Sequence, residues 1–170
     1  MSYFVIQVTT GKEKECRTYL MKSGCFSEKS LVFPRRKLMI RKQGKVREKQ
    51  APLFPGYLFF RANEVHPDQV RAVRETPGIF CFLRIDGNPI PLYREEEEQL
   101  NLFMRTGEIA GISQIDLQEN NKITVTQGPL KGQEGLIVKL DKRKKRAKVR
   151  LSLYKEAFLV DFGFDFVKKA

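Results

Sequence analysis

The 170-residue sequence contains one histidine, three cysteines and no tryptophan, and this scarcity argues against several classes of site. The one imidazole, His66, precedes a proline at a predicted helix start, where a capping or surface role is expected rather than catalysis. Cys16, Cys25 and Cys81 are odd in number and lack a CxxC spacing, which argues against a disulfide framework or a zinc site. We expect a protein of the reducing cytoplasm that is not an enzyme and that needs no metal or cofactor.

Long apolar runs are also missing. No stretch approaches the about 18 apolar residues of a membrane-spanning helix, and the N-terminus has no basic segment followed by an apolar one. We therefore expect neither secretion nor a membrane span. Four successive glutamates at residues 95–98 suggest metal or acid–base chemistry, but consecutive residues fan out over the faces of a helix and cannot converge on one ion. They suit the positive N-terminal end of a helix instead.

Positive charge is abundant and unevenly distributed. The chain has 32 Lys+Arg against 20 Asp+Glu, a net charge of +12. Residues 29–49 hold 9 basic and 1 acidic residue, residues 121–170 hold 13 and 5, and the remainder is mildly acidic. Two concentrated basic blocks favour a nucleic-acid partner over a uniformly charged surface.

The first 107 residues carry strands and helices in the order β-α-β-β-α-β-α, with the two-armed hairpin counted as one β element. The predicted elements are a strand at 3–9, a helix at 12–22, a two-armed hairpin within 30–49, a strand in 53–62, a helix from residue 66, a strand at 79–85 and a helix at 93–105. Gln43-Gly44 lies near the hairpin tip. This order predicts an α+β domain, a mainly antiparallel sheet flanked by helices.

The pattern changes after this domain. Residues 106–121 hold glycines and polar residues without strong periodicity, and from Lys122 onward the chain carries only short strands and Gly-rich turns. Close spacing of short strands predicts a small five-stranded, all-β barrel of the SH3-like kind, with a last strand near residues 165–167. We therefore expect a domain at 1–107, a linker at 108–121 and a second domain at 122–170.

The segment LFPGYLFF, residues 53–60, raises the question of what its apolar side chains contact. Pro55 and Gly56 predict a turn that leads into a strand. Tyr57 and Phe59 then face one side of the sheet while Leu58 and Phe60 face the other. Both faces are apolar, so the strand should be central, in a sheet that is either fully covered or open to a partner on one side.

This turn and strand, together with VRETPGIFCFL at residues 73–83 and VTQGPLKGQEGLIVKL at 125–140, resemble the NusG family of transcription factors. The resemblance implies an N-terminal NGN domain and a C-terminal KOW barrel. It also implies an apolar cavity that docks on the clamp helices of the largest RNA polymerase subunit, with Phe54 and Tyr57 as contacts and Pro55 and Gly56 shaping the rim. The alternative is that both rings belong to the core.

The heavy basic charge, with FPRR at 33–36 and four glutamates at 95–98, is similar to the specialised LoaP paralogues within that family. The resemblance implies antitermination over particular operons and recruitment through an RNA hairpin in the nascent leader. The expected RNA contacts are the basic residues Arg35, Arg36, Lys37, Lys142, Arg143, Lys144, Lys145 and Arg146. Phosphate contacts alone would not specify a hairpin, so RNA shape must contribute.

Two alternatives stay open at this level. A housekeeping NusG would couple polymerase to a ribosomal protein or a termination factor through its barrel. A ribosomal or assembly protein would hold its KOW barrel permanently on RNA, but residues 1–105 with FPGY argue against it. The sequence identifies neither the operon nor the RNA, and residues 151–160 contain enough helix formers to leave a second C-terminal fold open.

Overall fold

The structure is a computed structural model that describes residues 1–167 and groups the chain into two compact units. The first unit combines Met1–Pro34 with Phe54–Glu97, and the second combines Arg35–Leu53 with the chain from Glu98 on. The helices are α1 (Glu13–Lys22), α2 (Pro67–Glu75) and α3 (Arg94–Phe103). No helix within the described residues is long and apolar enough to span a membrane.

Fourteen strands lie within residues 1–167. In chain order they are β1 (Ser2–Val8), β2 (Leu31–Val32), β3 (Arg35–Lys42), β4 (Lys45–Pro52), β5 (Tyr57–Ala62), β6 (Ile79–Phe82), β7 (Arg84–Ile85), β8 (Asn88–Pro89), β9 (Ile109–Ala110), β10 (Ser113–Leu117), β11 (Ile123–Gln127), β12 (Ile137–Asp141), β13 (Arg146–Leu153) and β14 (Glu156–Phe166). A single turn of 3-10 helix, Glu134–Leu136, precedes β12. The predicted α+β class with an all-β C-terminal part is confirmed.

The first unit is built on a four-stranded antiparallel sheet with the order β2-β5-β1-β6. β5 lies inside this sheet, as its two apolar faces predict. Side chains alternate along each strand, so Ile6 of β1 and its partner Leu58 of β5 share one face and are fully buried. That face forms a core with residues of α1 and α2, including Phe4, Val8, Cys16, Leu20, Phe26, Leu31, Phe60, Val73, Ile79 and Phe82.

The opposite face of this sheet is covered along most of its length. Val5 pairs with Phe59, and neither is exposed to solvent. Two residues further along each strand, on the same face, Gln7 pairs with Tyr57 and both residues are half-buried. The sheet is therefore closed in its middle and accessible at the end that carries the Pro-Gly turn.

The helices of the first unit begin and end where their residues favour it. Cys16 and Leu20, one turn apart on α1, are both buried, and the chain leaves the helix through Gly24 at φ +80°. α2 begins with Pro67 and has a capping box in which the His66 N–H donates to Gln69 Oε1 at 2.9 Å. His66 is the N-cap residue of α2 and its side chain is exposed, in agreement with the expected capping or surface role.

The basic hairpin is formed by β3 and β4, joined by Gln43 and Gly44. Both loop residues have positive φ, +52° and +75°, which is the backbone pattern of a two-residue type I′ turn. The arm belongs to the second unit, where β3 pairs in parallel with β9 and the Arg35 N–H donates to the Glu108 carbonyl at 2.7 Å. The base of the arm is thereby held next to the barrel strands.

The barrel unit contains a five-stranded sheet with the order β11-β10-β14-β13-β12. Its strand count agrees with the prediction, but its composition differs. The fifth strand is β10, which lies in the segment predicted as an irregular linker, and residues 165–166 simply continue β14. In β10 only Ser113 and Ile115 are buried, and one of these two residues is polar. The alternation of apolar and polar residues is therefore too weak to predict a strand from the sequence.

One close approach fixes the arm against the barrel. A Cβ atom added at Gly163 of β14 would lie 2.5 Å from the Lys37 carbonyl oxygen and 2.5 Å from Ile112 Cδ1. Only a glycine leaves room there for the neighbouring backbone.

The division of the chain into a domain at 1–107, a linker at 108–121 and a domain at 122–170 stays a prediction.

Candidate functional site

The Pro-Gly turn before β5 has the features of a type II turn. The Tyr57 N–H donates to the Phe54 carbonyl at 3.3 Å, Pro55 occupies the second position, and Gly56 has φ +87° at the third. The Gly56 carbonyl accepts from the Val8 N–H at 2.8 Å, which joins the turn to the end of β1. The turn is thus part of the sheet rather than a loose connection.

A buried carboxylate holds this turn from the helix side. Glu13, at the start of α1, is 3% exposed. Its Oε1 accepts from the Gly56 N–H at 2.9 Å, and both of its oxygens accept from the Gly11 N–H at 3.1 Å. Two backbone donors share this one buried acceptor, so Glu13 gives the turn a fixed position on the first helix.

The four predicted polymerase-binding residues are not equally accessible. Phe54 is only 5% exposed, and its ring packs on Phe59 with a centroid distance of 5.6 Å. Gly56 is buried, whereas Pro55 is exposed and Tyr57 is half-buried. On this surface Pro55 and Tyr57 are available to a partner, while Phe54 supports them from below.

An exposed aromatic ring that sequence reasoning did not single out lies on the neighbouring strand. Gln7 pairs with Cys81 and Val8 with Ile79, so Phe80 is the extra residue of a β-bulge. Its side chain is 59% exposed, although Ile79 is buried. Regular alternation along β6 would have placed Phe80 and Phe82 on the same face of the sheet. The bulge that breaks this alternation leaves no signal in the sequence.

Tyr57 and Cys81 both pair with Gln7, so these residues form a row across three strands at the open end of the sheet. We call the surface made by Pro55, Tyr57 and Phe80 the aromatic edge. It is apolar and partly exposed, and it is carried by paired strands and a hydrogen-bonded turn. Such a surface fits a protein partner with an apolar contact patch.

The predicted basic residues at the base of the arm make contacts within the protein. Arg35 Nη2 lies 3.4 Å from Glu108 Oε2, and Lys37 Nζ lies 3.3 Å from Glu48 Oε1. Arg36 Nη1 donates to the Pro52 carbonyl at 2.9 Å. Burial lowers the pKa of the Arg36 guanidinium, and the negative charge of Asp161 opposes this shift.

The cations nearer the arm tip are in a different environment. Every residue from 41 to 50 is exposed. Five of these are basic and extend along both strands beyond the ion-paired base: Arg41, Lys42, Lys45, Arg47 and Lys49. The tip is therefore the part of the arm that presents positive charge to solvent.

The basic turn between β12 and β13 also divides into two groups. Lys142, Arg143 and Lys144 are exposed. Lys145 has φ +54° and its Nζ pairs with Asp165 Oδ1 at 2.7 Å, while Arg146 Nη1 lies 4.0 Å from Asp161 Oδ2. The structure brings these five residues to one turn, but two of them are already paired with carboxylates.

Asp141 shapes this turn from its first position. Its Oδ1 accepts from the Lys144 N–H at 2.9 Å, and this hydrogen bond lowers the pKa of the Asp141 carboxyl.

All three cysteines are free thiols. Within residues 1–167, no group of three or more His, Cys, Asp or Glu side chains is arranged to hold a metal ion.

Comparison with known proteins identifies the family. Residues 1–101, more than half of the chain, match the family model described as "Transcription termination factor nusG". The chain belongs to the NusG family. Membership makes it a factor of transcription termination and antitermination, and the fold expected from FPGY and the KOW-like segment is confirmed.

Relatives of this NusG-family chain match over its whole length. The "Transcription termination/antitermination protein NusG" of Borreliella burgdorferi is 26% identical over 99% of this chain and 98% of its own. The protein of the same name from Thermus thermophilus is 24% identical, over 100% of this chain and 99% of its own. A solved structure of Thermotoga maritima NusG aligns with this chain at a TM-score of 0.57 and 17% sequence identity. The alignment covers 95% of this chain and 93% of that one.

Proposed function

We propose that this NusG-family factor binds RNA polymerase through the aromatic edge. We propose further that it contacts RNA through the tip of the basic arm and through the basic turn between β12 and β13. The observation that carries the proposal is the exposed Phe80 near the half-buried Tyr57, at the end of a sheet whose middle is covered. Family membership supports transcription as the process. The partner on the polymerase is the tip of the clamp helices of the largest subunit.

Rigidity supports the aromatic edge as a docking surface. Tyr57 begins a central strand, the turn before it is hydrogen-bonded to Glu13, and Phe80 belongs to a paired strand. Little backbone entropy is lost when a partner contacts residues whose strands and turn are already hydrogen-bonded. Aromatic residues near the centre of an interface each contribute about 2 kcal/mol or more on truncation.

Binding alone explains an effect on elongation. A factor that binds the active conformation of polymerase more tightly than the paused one shifts the population towards the active one. The shift is limited by the difference between the two affinities. Suppression of pausing or termination then needs no chemistry from the factor itself.

The exposed cations support an additional contact with RNA. The arm tip carries five cations on an exposed hairpin, and Lys142, Arg143 and Lys144 are exposed on the barrel. Neutralisation of several phosphates would make RNA binding strongly salt-dependent. This charge favours an operon-specific antiterminator of the LoaP kind, which is recruited through a hairpin in the leader transcript.

A housekeeping role is the second candidate. Its supporting observation is that both whole-length relatives carry the general name NusG. In that case the barrel would bind a ribosomal protein or a termination factor. Transcription in vitro separates the two: a specialised factor reads through terminators only downstream of its leader RNA, and a housekeeping factor acts without one.

Polymerase capture by the tagged full-length protein tests the main proposal. We expect Tyr57→Ala and Phe80→Ala each to weaken capture roughly thirtyfold, which corresponds to about 2 kcal/mol. Tyr19→Ala is the matched control, because Tyr19 is a 50% exposed tyrosine on α1 of the same unit. Folding of every variant is verified by circular dichroism. Normal capture by both folded edge variants, or no capture by the wild type, contradicts the proposal.

A further inference from the structure

The outward face of three barrel strands forms a small charged cleft. Ala147 and Val149 of β13 are buried, so the alternate residues Arg146 and Lys148 face outward. Lys148 stands opposite Lys139 of β12 on one side and Asp161 of β14 on the other. The cleft has a volume of about 160 Å³ and is lined by Lys139, Asp141, Lys144, Arg146, Lys148 and Asp161.

Four cations face two carboxylates in this cleft, and the carboxylates already have partners. Asp141 Oδ1 accepts from the Lys144 N–H, and Asp161 Oδ2 lies 4.0 Å from Arg146 Nη1. The Arg146 Nε atom is buried and has no hydrogen-bond partner among the described residues. Because this atom has almost no solvent-accessible surface, an anion in the cleft would meet the outer nitrogens of the Arg146 guanidinium rather than Nε.

The pairing of Lys139 with Lys148 is the second unusual feature. Like charges directly opposite each other on neighbouring strands destabilise a sheet. Neither lysine forms an ion pair with a carboxylate of residues 1–167. An anion between the two ammonium groups would turn this repulsion into attraction. Asp141 next to Lys139 and Asp161 opposite Lys148 offset part of this repulsion, and a bound anion would offset the rest.

We infer that this cleft binds one phosphodiester group of an RNA chain, an inference that rests on the RNA contact proposed above. Its volume is below the roughly 300–1,000 Å³ of pockets for drug-sized ligands, so it admits a phosphate group rather than a nucleoside. The guanidinium of Arg146 supplies N–H donors suited to phosphate, and Lys148 on the same strand and Lys139 on the flanking strand supply charge. Such a contact positions the RNA without reading its sequence.

The cations that line the cleft differ from the contiguous cations of the turn. Lys142 and Arg143 are exposed at the turn and do not line the cleft, and Lys145 pairs with Asp165. These turn residues contribute a general positive potential that salt screens readily. Lys139 and Lys148 lie outside the run of five cations that the sequence makes conspicuous, yet they line the cleft.

Two double variants with the same loss of charge provide the test. The cleft variant combines Lys139→Gln with Lys148→Gln, and the turn variant combines Lys142→Gln with Arg143→Gln. Fluorescence anisotropy with a short single-stranded RNA and with an RNA hairpin is measured over a salt series for the full-length proteins. We expect the cleft variant to lose about tenfold in affinity and to show a salt slope shallower by about 1, with smaller changes in the turn variant.

Two further measurements distinguish a loss of RNA binding from a loss of folding. Removal of the like-charge pair should leave the cleft variant at least as stable as the wild type in urea, so its loss of affinity is not unfolding. NMR titration of the full-length protein with inorganic phosphate should shift the Arg146 Nε–H resonance in the wild type and the turn variant, but not in the cleft variant.

If the two double variants weaken RNA binding equally, the cleft is not a specific phosphate site. A phosphate shift at Arg146 without any RNA binding by the wild type would overturn RNA as its ligand. Polymerase capture is measured on the same proteins and should be unchanged in both double variants. Failure of the wild type in that assay contradicts the polymerase proposal and leaves the cleft result unaffected.

Discussion

Glu13 Oε1 accepts a hydrogen bond from the Gly56 N–H at 2.9 Å, and this contact joins two segments that are 43 residues apart in sequence. The same carboxylate accepts from the Gly11 N–H. One buried acidic side chain thus connects the loop before α1 to the turn before β5. The aromatic edge depends on this connection, because Pro55 and Tyr57 flank the glycine that Glu13 binds.

Glu13→Ala should therefore weaken polymerase binding without removing any residue of the aromatic edge. The substitution leaves the buried Gly56 N–H without its acceptor, and we expect a loss of about 1–3 kcal/mol in the free energy of unfolding. Urea denaturation measures the free energy of unfolding. Polymerase capture measures whether the altered turn weakens polymerase binding.

Glu15→Ala is the control for this change. Glu15 lies in the same first turn of α1 but is exposed. We expect its effect on stability to stay within about 0.5 kcal/mol. If the two variants have equal unfolding free energies and equal polymerase capture, Glu13 does not hold the turn.

Gly163→Ala should displace the basic arm from the barrel. The added methyl group would meet a backbone oxygen of β3 and a side chain before β10, and overpacking of this kind costs about 1–3 kcal/mol. Hydrogen exchange should accelerate at the base of the arm, including the Arg35 N–H that donates to Glu108. Gly135→Ala is the matched control, because a Cβ there meets nothing within 4 Å. Unchanged protection of β3 would show that the arm adapts to the methyl group.

Local signals predicted much of the fold. Helix starts with proline or glutamate, the central position of β5 and the Gln43-Gly44 turn all depend on residues close in sequence. β10 could not be found in this way, because it becomes a strand only by pairing with β11 and β14, and Ser113 interrupts its apolar face. Tertiary pairing decides the structure of so short and polar a segment.

The candidate site was predictable in position but not in detail. FPGY located the open end of the sheet, yet the burial of Phe54 depends on packing, and the exposure of Phe80 depends on a register shift. Charge runs located both basic turns, but they did not show which cations are paired. Arg35 finds Glu108, which is 73 residues away, and no local pattern contains that information.

The three thiols should differ in their reactivity. Cys16 is buried and its S–H contacts the Gly78 carbonyl at 3.6 Å, whereas Cys25 and Cys81 are half-buried. Burial raises the pKa of the Cys16 thiol, and the nearby glutamates add to the shift. Because the thiolate is the reactive form, alkylation of the native protein should modify Cys16 last. Peptide mass spectrometry after timed iodoacetamide treatment measures the order, and early modification of Cys16 would contradict its burial.

Glu134 should make the barrel sensitive to acid. Its Oε1 accepts from the Val125 N–H at 3.0 Å, and backbone hydrogen bonds, first among them this one, lower the pKa of its carboxyl. A carboxyl whose pKa is lower in the folded than in the unfolded state stabilises the fold when ionised. That contribution is complete above the ordinary glutamate pKa of about 4.3 and is lost as the pH falls through the lower folded value.

Glu134→Gln isolates this effect, because glutamine retains an acceptor oxygen for the Val125 N–H but cannot ionise. We expect the wild type to be the more stable protein near neutral pH, with the difference between the two shrinking as the pH is lowered below the ordinary glutamate pKa. Urea midpoints of both proteins at a series of pH values measure the difference. A difference that stays constant across the series would mean that ionisation of Glu134 does not stabilise the barrel, and the hydrogen bond to Val125 would then act only as a neutral contact.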